Sequence, residues 1–247
     1  MKILFLDIET SPNTAHVWSL WKTTVSINQI MEPGEMLCWA ARWHGSRTTA
    51  FASKHADGKQ AMLERIHALL DEADVVVHYN GKRFDMPTLN KEFVLAGMRP
   101  PSPYKQIDLL DTVKSTFRFA SNKLDYVAQQ LGLGKKQSHE GHTLWVKCMA
   151  GDATAWRTME RYNKQDVLLL IKLYERLLPW IVNHPNRALY DPAQAEVSCP
   201  NCGGTHLQKR GKSTTAAGTW QRYQCVDCGA WAKGEKLEAF KRILKRA

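Results

Sequence analysis

Nothing in this 247-residue sequence approaches the ~18 to 20 consecutive apolar residues that span a bilayer, so no membrane-crossing helix is expected and a membrane is not an expected partner. Before Asp7 the only apolar run is Ile3-Leu4-Phe5-Leu6, shorter than the roughly 7 to 15 residues of a signal-peptide core. A cytosolic location is the expectation. The pattern G-x4-G-K-[ST] is missing, which argues against an NTP-driven motor. Internal repeats and low-complexity tracts are missing too, so neither a solenoid nor a long disordered region is expected. Acids are few, 24 against 34 Lys and Arg.

The resulting charge of +10 is unevenly placed. Residues 199–247 carry ten Lys or Arg against three acids, while the other 198 residues hold 24 against 21. A small module with most of the excess points to a polyanion, because phosphate neutralisation supplies most non-specific nucleic-acid affinity. The alternative is a solvated, solubilising tail.

Alternation and periodicity divide the chain. Residues 2–7 read as a buried strand. Residues 36–44 and 47–53 read as a hairpin around Gly45-Ser46. Residues 60–70 have helical spacing, 74–78 form a strand with a continuous apolar run, and 86–95 form a helix stopped by Gly97. A short strand is expected at 106–110, an amphipathic helix at 123–131 and a mobile loop at Gly134-Lys135-Lys136. A long helix is expected at 153–181. Residues 183–198, with Pro185 and Pro192, read as a linker. Strands in a hairpin, then alternating helices and strands, indicate an α/β layered domain with a mixed sheet.

Three carboxylate motifs stand out. Asp7-Ile8-Glu9 follows the first apolar run, and Asn80-Gly81-Lys82-Arg83-Phe84-Asp85 follows Val75-Val76-Val77. Tyr162-Asn163-Lys164-Gln165-Asp166 lies on the long helix. Ionised groups at the ends of buried strands are costly unless paired or metal-bound. Mg²⁺ and Mn²⁺ prefer hard oxygen ligands, and two such ions can activate a water and stabilise a leaving oxygen in phosphodiester cleavage. Residues 7 and 9 of a strand share a face, as do 162 and 166 of a helix. A phenol at 162 can orient the attacking water while Asp166 ligates metal. Each motif alone is weak; the order and context of all three carry the reading.

On these motifs the chain resembles the DEDD 3′→5′ exonucleases, in the tyrosine-bearing subgroup that includes polymerase proofreading domains. More closely, it looks like small stand-alone exonucleases common in bacteriophages. The resemblance covers roughly residues 1–182 and implies a ribonuclease H-like fold with a mixed five-stranded sheet flanked by helices. It implies that Asp7, Glu9 and Asp166 bind one metal and Asp7 the second, with Asp85 acting through the second ion's waters and Tyr162 positioning the nucleophilic water. The cofactors are then two Mg²⁺ or Mn²⁺. The 3′→5′ polarity comes from the resemblance alone, as does a bacterial or phage-infected host cytoplasm. Phe84 resembles the apolar residue beside the terminal base, with core filling as the alternative, and Asn80 resembles a position that orients the second motif. No polymerase domain follows in these residues, so proofreading in cis is not expected.

Cys199-Pro200-Asn201-Cys202 and Cys225-Val226-Asp227-Cys228 are two C-x2-C pairs with 22 residues between them. Such pairs read as one zinc site of four cysteines in a zinc ribbon, although the spacer slightly exceeds the usual range. Disulfides are the alternative, and a cytosolic context argues against them. Gly203 and Gly229 fit tight turns behind the thiolates. Four thiolates leave no open position, so this zinc is structural. Lys209, Arg210, Lys212 and Arg222 belong to the ribbon hairpin, with Trp220 and Tyr223 either stacking on unpaired bases or packing a very small core. Residues 233–246 read as a basic amphipathic helix carrying Leu237, Phe240, Ile243 and Leu244 on one stripe.

Other residues are less specific. Lys135 and Lys136 are candidate substrate contacts, with solvated surface as the alternative. His139-Glu140-Gly141-His142 lacks H-E-x-x-H spacing and reads as a loop near the active face. Trp18 and Trp21 either stack on substrate or anchor their loop. Cys38 and Cys148 read as buried small hydrophobes, and Asp125 as the solvated start of a helix. The leading expectation is an exonuclease on DNA 3′ ends, with replication or repair proteins as further candidate partners of the ribbon. An exoribonuclease, a structure-specific endonuclease and a recruitment protein that acts through the ribbon are the competing readings.

Overall fold

The computed structural model describes residues 1–190, 197–215 and 218–237. Two compact units divide the chain, one at Lys2–Leu173 and a smaller one from Tyr174 onward. The larger unit begins with β1 (Ile3–Thr10), followed by a short two-stranded arm, β2 (Thr14–Ala15) and β3 (Ile30–Glu32). Next come β4 (Met36–Trp43), β5 (Ala50–Ser53), α1 (Lys54–Asp57), α2 (Lys59–Glu72), β6 (Val75–His78), α3 (Asp85–Leu95) and β7 (Lys105–Asp108). The remaining helices are α4 (Leu109–Thr116), α5 (Leu124–Gln130), α6 (His142–Met149) and α7 (Ala153–Leu177).

The main sheet has the order β5-β4-β1-β6-β7. The β4 strand is antiparallel to both β1 and β5, whereas β6 is parallel to both β1 and β7. This is a ribonuclease H-like α/β fold with a mixed five-stranded sheet flanked by helices. Val75, Val76 and Val77 are fully buried, as expected for a parallel strand covered on both faces.

The central strand β1 faces two environments. Leu4, Leu6 and Ile8 pack with Met62, Leu63, Ile66 and Leu70 of α2 and Met86, Leu89 and Phe93 of α3. Each such side chain contributes roughly 1.5–3 kcal/mol when buried. Asp7 and Glu9, at the alternating positions, pair in register with Ala40 and Cys38 of β4. Leu37 and Cys38, where the β1–β4 register shifts, belong to a second cluster with Leu144 and Cys148 of α6 and Trp156, Met159 and Tyr162 of α7. Cys38 and Cys148 are therefore buried small hydrophobes, 0 % and 2 % exposed.

Several elements differ from the sequence reading. Residues 44–49 connect β4 to β5 in place of a two-residue turn. A type I′ turn needs two residues of positive φ, and of Gly45-Ser46 only Gly45, at +79°, has one. The segment at 106–110 is strand only to Asp108, whose carboxylate accepts from Leu110 N and starts the unanticipated α4. The long helix stops at Leu177, four residues early, because Pro179 falls in a 3-10 turn over Leu178–Trp180 and lacks an N–H to continue the ladder.

In the smaller unit, β8 (Leu207–Thr215), β9 (Gly218–Cys225) and β10 (Trp231–Leu237) form an antiparallel sheet in the order β10-β9-β8. The expected basic helix at 233–246 is thus corrected at its start. Trp231, Ala232 and Lys233 pair with Gln224, Tyr223 and Arg222, and Gly234 passes against the Tyr223 ring where a Cβ would come within 2.4 Å. Sheet pairing with β9 overrides the local helical pattern. Phe240, Ile243 and Leu244 lie outside the described residues.

Candidate active site

Alternation on β1 aims Asp7 and Glu9 at α7, which returns Asp166 to the same place. One carboxylate oxygen from each of these three residues lies within 4.8 Å of the others. Asp85, the first residue of α3, stands beside them. Its Oδ1 accepts from Ile8 N at 3.2 Å, the amide between Asp7 and Glu9. Burial raises the Asp7 carboxyl well above its usual range, and Glu9, Asp85 and Asp166 add repulsion. Burial and Asp166 push Glu9 to about 8, against the pull of Lys136. Burial raises Asp85 to about 6, opposed by His78. Asp166 is also raised by burial despite Lys136, and its Oδ1 is buried without a hydrogen-bond partner. Four crowded acids and an orphaned oxygen fit a multivalent cation.

Lys136 reaches into this cluster. Its Nζ sits 2.5 Å from Asp166 Oδ2 and 3.1 Å from the Tyr162 hydroxyl. Burial works against this ammonium, yet Asp166, Tyr162 and Asp7 hold its pKa above the usual value. Lys135 points into solvent. Asp125, which the sequence placed at a solvated helix start, accepts from Lys136 N at 2.7 Å and fixes the loop that carries the lysine. Tyr162 is packed edge-on by His139 at 4.7 Å and Trp145 at 6.1 Å between centroids. Burial and the charges of Asp166 and Glu9 keep its phenol protonated. Phe84, the N-cap of α3, is 45 % exposed and so does not fill the core.

Two supporting groups escaped the sequence reading. Asn163 is fully buried and donates from Nδ2 to Asp7 Oδ2 at 2.6 Å. It lies inside the third motif, one position from Tyr162, but a helix neighbour of a motif residue carries no signal of its own. Asp108 accepts from Asn80 N at 2.8 Å and Lys82 N at 3.2 Å, as well as from Leu110 N. It holds the turn that leads to Asp85, in which Asn80 has φ +68°. Gly81 is required there, since a Cβ would lie 2.4 Å from Cγ of buried His78. Removing this acceptor strands up to three backbone donors, each costing about 1–3 kcal/mol when buried. Asp108→Ala is expected to lower urea stability by about 3 kcal/mol and to weaken metal binding through Asp85. A variant of wild-type stability would show that the turn holds itself.

The raised carboxyls also set a pH dependence. Glu9 and Asp85 keep protons in the folded chain that the unfolded chain releases near pH 4 to 4.5. The folded state binds more protons between those values and its own, about 6 for Asp85 and about 8 for Glu9, so stability falls as pH rises from about 4 to 8. In chelator the unfolding temperature is expected to drop between pH 5.5 and 8, above the range in which Glu35, Glu92 and Asp108, all held low, titrate. Saturating Mn²⁺ is expected to remove the slope, because metal and proton compete for the same oxygens. A flat profile in chelator would contradict the crowding.

In the smaller unit, Cys199, Cys202, Cys225 and Cys228 form a second convergent group. The Cys199–Cys228 and Cys202–Cys225 sulfurs are each 3.6 Å apart, close to the ~3.8 Å edge of a tetrahedron with 2.3 Å zinc–sulfur bonds. Gly203 and Gly229, at φ +81° and +80°, turn the chain so that their amides bond Cys199 O and Cys225 O. Gly204 N donates to Cys202 Sγ at 3.3 Å. Trp220 is half-buried, with Lys233 and Lys236 ammoniums 5.6 and 5.8 Å from its ring.

Residues 4–178 match the family model of the RNase H superfamily. No curated protein sequence matches the chain. Among solved structures it is similar to the family B DNA polymerase from the hyperthermophilic archaeon Pyrobaculum calidifontis, at 19% identity and a TM-score of 0.55 over 72% of this chain. The match covers 24% of the polymerase, so this chain spans about a quarter of that protein, and the likeness is one of fold.

Proposed function

We propose that this chain, which belongs to the RNase H superfamily, is a metal-dependent nuclease that removes nucleotides from DNA 3′ ends, preferring single strands. One observation carries the reading: the convergence of half-buried Asp7 and Glu9 with buried Asp166, and Asp85 beside them. Mg²⁺ or Mn²⁺ held by these four carboxylates would supply a nucleophilic water at neutral pH and neutralise the leaving oxygen.

The remaining roles belong to the chain. Asn163 keeps Asp7 Oδ2 turned into the site and favours its ionised form. The Tyr162 phenol, protonated and clamped by His139 and Trp145, is suited to orient the attacking water and not to abstract its proton. Lys136 brings a fixed positive charge to the place where the scissile phosphate must sit. Electrostatics of this kind act strongly where water is excluded. In the smaller unit a zinc ion would close the four-cysteine tetrahedron, and the basic strands around it would add phosphate contacts.

The test is a gel time course on 5′-labelled single-stranded DNA with Mg²⁺. A ladder that shortens one nucleotide at a time from the 3′ end supports the proposal. A labelled RNA of the same sequence measures sugar preference, because a 2′-OH contact is a local feature of the site. Internal cuts in a closed circular single strand would overturn the exonuclease reading.

A further inference from the structure

Two residues after Glu9, the chain leaves the sheet as an arm. Its root is clamped: Ser11 N donates to Glu35 O, Glu35 N to Ser11 Oγ, and Gly34 N to Asn13 Oδ1. Above the root, β2 and β3 pair Thr14 with Glu32 and Ala15 with Ile30, and His16 and Gln29 exchange further bonds. The tip is held by Thr23 Oγ1 donating to Ser19 O at 2.6 Å and by Ser26 N donating to the Gln29 side chain. Among the described residues nothing covers the apolar side chains of its tip. Trp18 is 100 % exposed, Trp21 82 %, Leu20 85 % and Ile27 83 %. Anchoring of the loop by its tryptophans, one of the two sequence readings, is thereby excluded. Apolar clusters left in water on an ordered support mark binding surfaces.

We infer that this arm is a stacking platform for unpaired nucleobases of a strand whose end lies at the acidic cluster. The inference rests on the nuclease reading above. Charge favours a nucleic-acid occupant: no acid lies between Glu9 and Glu32, and the one Lys or Arg there is Lys22. The one acid of the arm, Glu32, sits at its root beside Thr14, so the tip that carries the tryptophans holds no charge that repels a phosphodiester, and Trp faces accept any base. Reach agrees with this. Trp18 is nine positions after Glu9, so its Cα lies within about 30 Å of that of Glu9, the length of several nucleotides. The arm grows from the strand that carries Asp7 and Glu9, so a strand gripped there is registered to the site.

The experiment uses the full-length Trp18→Ala/Trp21→Ala variant, both positions being too exposed for the change to unfold the chain. Anisotropy of labelled dT20 in chelator, where cleavage cannot proceed, is expected to show affinity weakened on the order of tenfold or more. The salt slope should be unchanged, because stacking releases no counterions. With Mg²⁺, KM for dT20 should rise by a similar factor at constant kcat. KM for a dinucleotide, too short to reach the arm, should stay the same. Trp18→Phe/Trp21→Phe should restore most of the loss. Affinity and KM for dT20 within twofold of wild type would overturn the inference. So would light scattering that shows a wild-type dimer and a monomeric variant, since a second copy would then occupy the arm. Trp-dependent binding by a wild type that never shortens the strand would support the arm and count against the nuclease reading alone.

Discussion

Asp7→Ala is expected to slow strand shortening by at least about a thousandfold. Charge stabilisation by a bound ion is worth several kcal/mol in the transition state, and each ~1.4 kcal/mol is a decade in rate. Asp7 is central among the acids: Glu9, Asp85 and Asp166 all raise its carboxyl, and Asn163 orients it. The variant removes a charge that is unfavourable in the metal-free fold. Its unfolding temperature in chelator at pH 8 should therefore equal or exceed wild type, while the stabilisation that Mn²⁺ gives the wild type should disappear. Affinity for single-stranded DNA in chelator should be nearly unchanged. Asp166→Ala should behave alike in cleavage, although it also releases Lys136. Cleavage retained in either variant would remove these carboxylates from the chemistry. A collapse in stability would make Asp7 a structural acid.

Cys202→Ser is expected to abolish zinc binding and unfold the smaller unit. The buried cluster at the three-stranded sheet consists, among the described residues, of Cys199, Cys225 and Ala230, with Cys202, Leu207 and Cys228 partly covered. Two of those three residues are thiols, so without a metal that cluster has little to hold the three strands together. Structural zinc supplies roughly 10–16 kcal/mol of apparent binding energy in small domains of this kind. At Cys225, although burial works the other way, amides of Cys228 and Asp227 hold the thiol below its usual value, whereas burial pushes Cys202 up to about 11, so a metal is needed to hold all four as thiolates. Metal analysis of the wild type should give one zinc per chain, and the variant none. Proteolysis of the variant should remove the region beyond Tyr174 while the Lys2–Leu173 unit persists. DNA binding should weaken with a shallower salt slope, because Lys209, Arg210, Lys212 and Arg222 no longer act as one surface. Full zinc content in Cys202→Ser would place the metal elsewhere. An unchanged salt slope would assign the ribbon to protein contacts.

What the sequence disclosed depended on whether a signal was local. The apolar runs at Ile3-Leu4-Phe5-Leu6 and Val75-Val76-Val77 identify buried strands by composition, and Gly97 and Gly132 mark helix ends. The D-x-E and Y-x3-D spacings place pairs of side chains on one face of a strand or helix, so their convergence could be anticipated. Residues 233–237 misled because charged and apolar positions there suit a helix, whereas pairing with β9 decides the outcome. Lys136, Asp108 and Asp125 were visible as charges, but their partners lie 30, 26 and 11 residues away, and no pattern in the chain announces such meetings. Asn163 is the extreme case, an ordinary helical amide until α7 is laid against β1.

That last contact spans 156 residues, and it has a consequence for biosynthesis. Asp85 follows 77 residues after the Ile8 amide it accepts from, and Asp166 comes only near the end of the Lys2–Leu173 unit. A nascent chain, a truncated product or a fragment cut before α7 carries an incomplete set of carboxylates. Under the proposed nuclease reading, a chain that stops before α7 is therefore expected to hold Mn²⁺ weakly and to leave nucleic acid uncut, so that activity switches on only when the fold is closed.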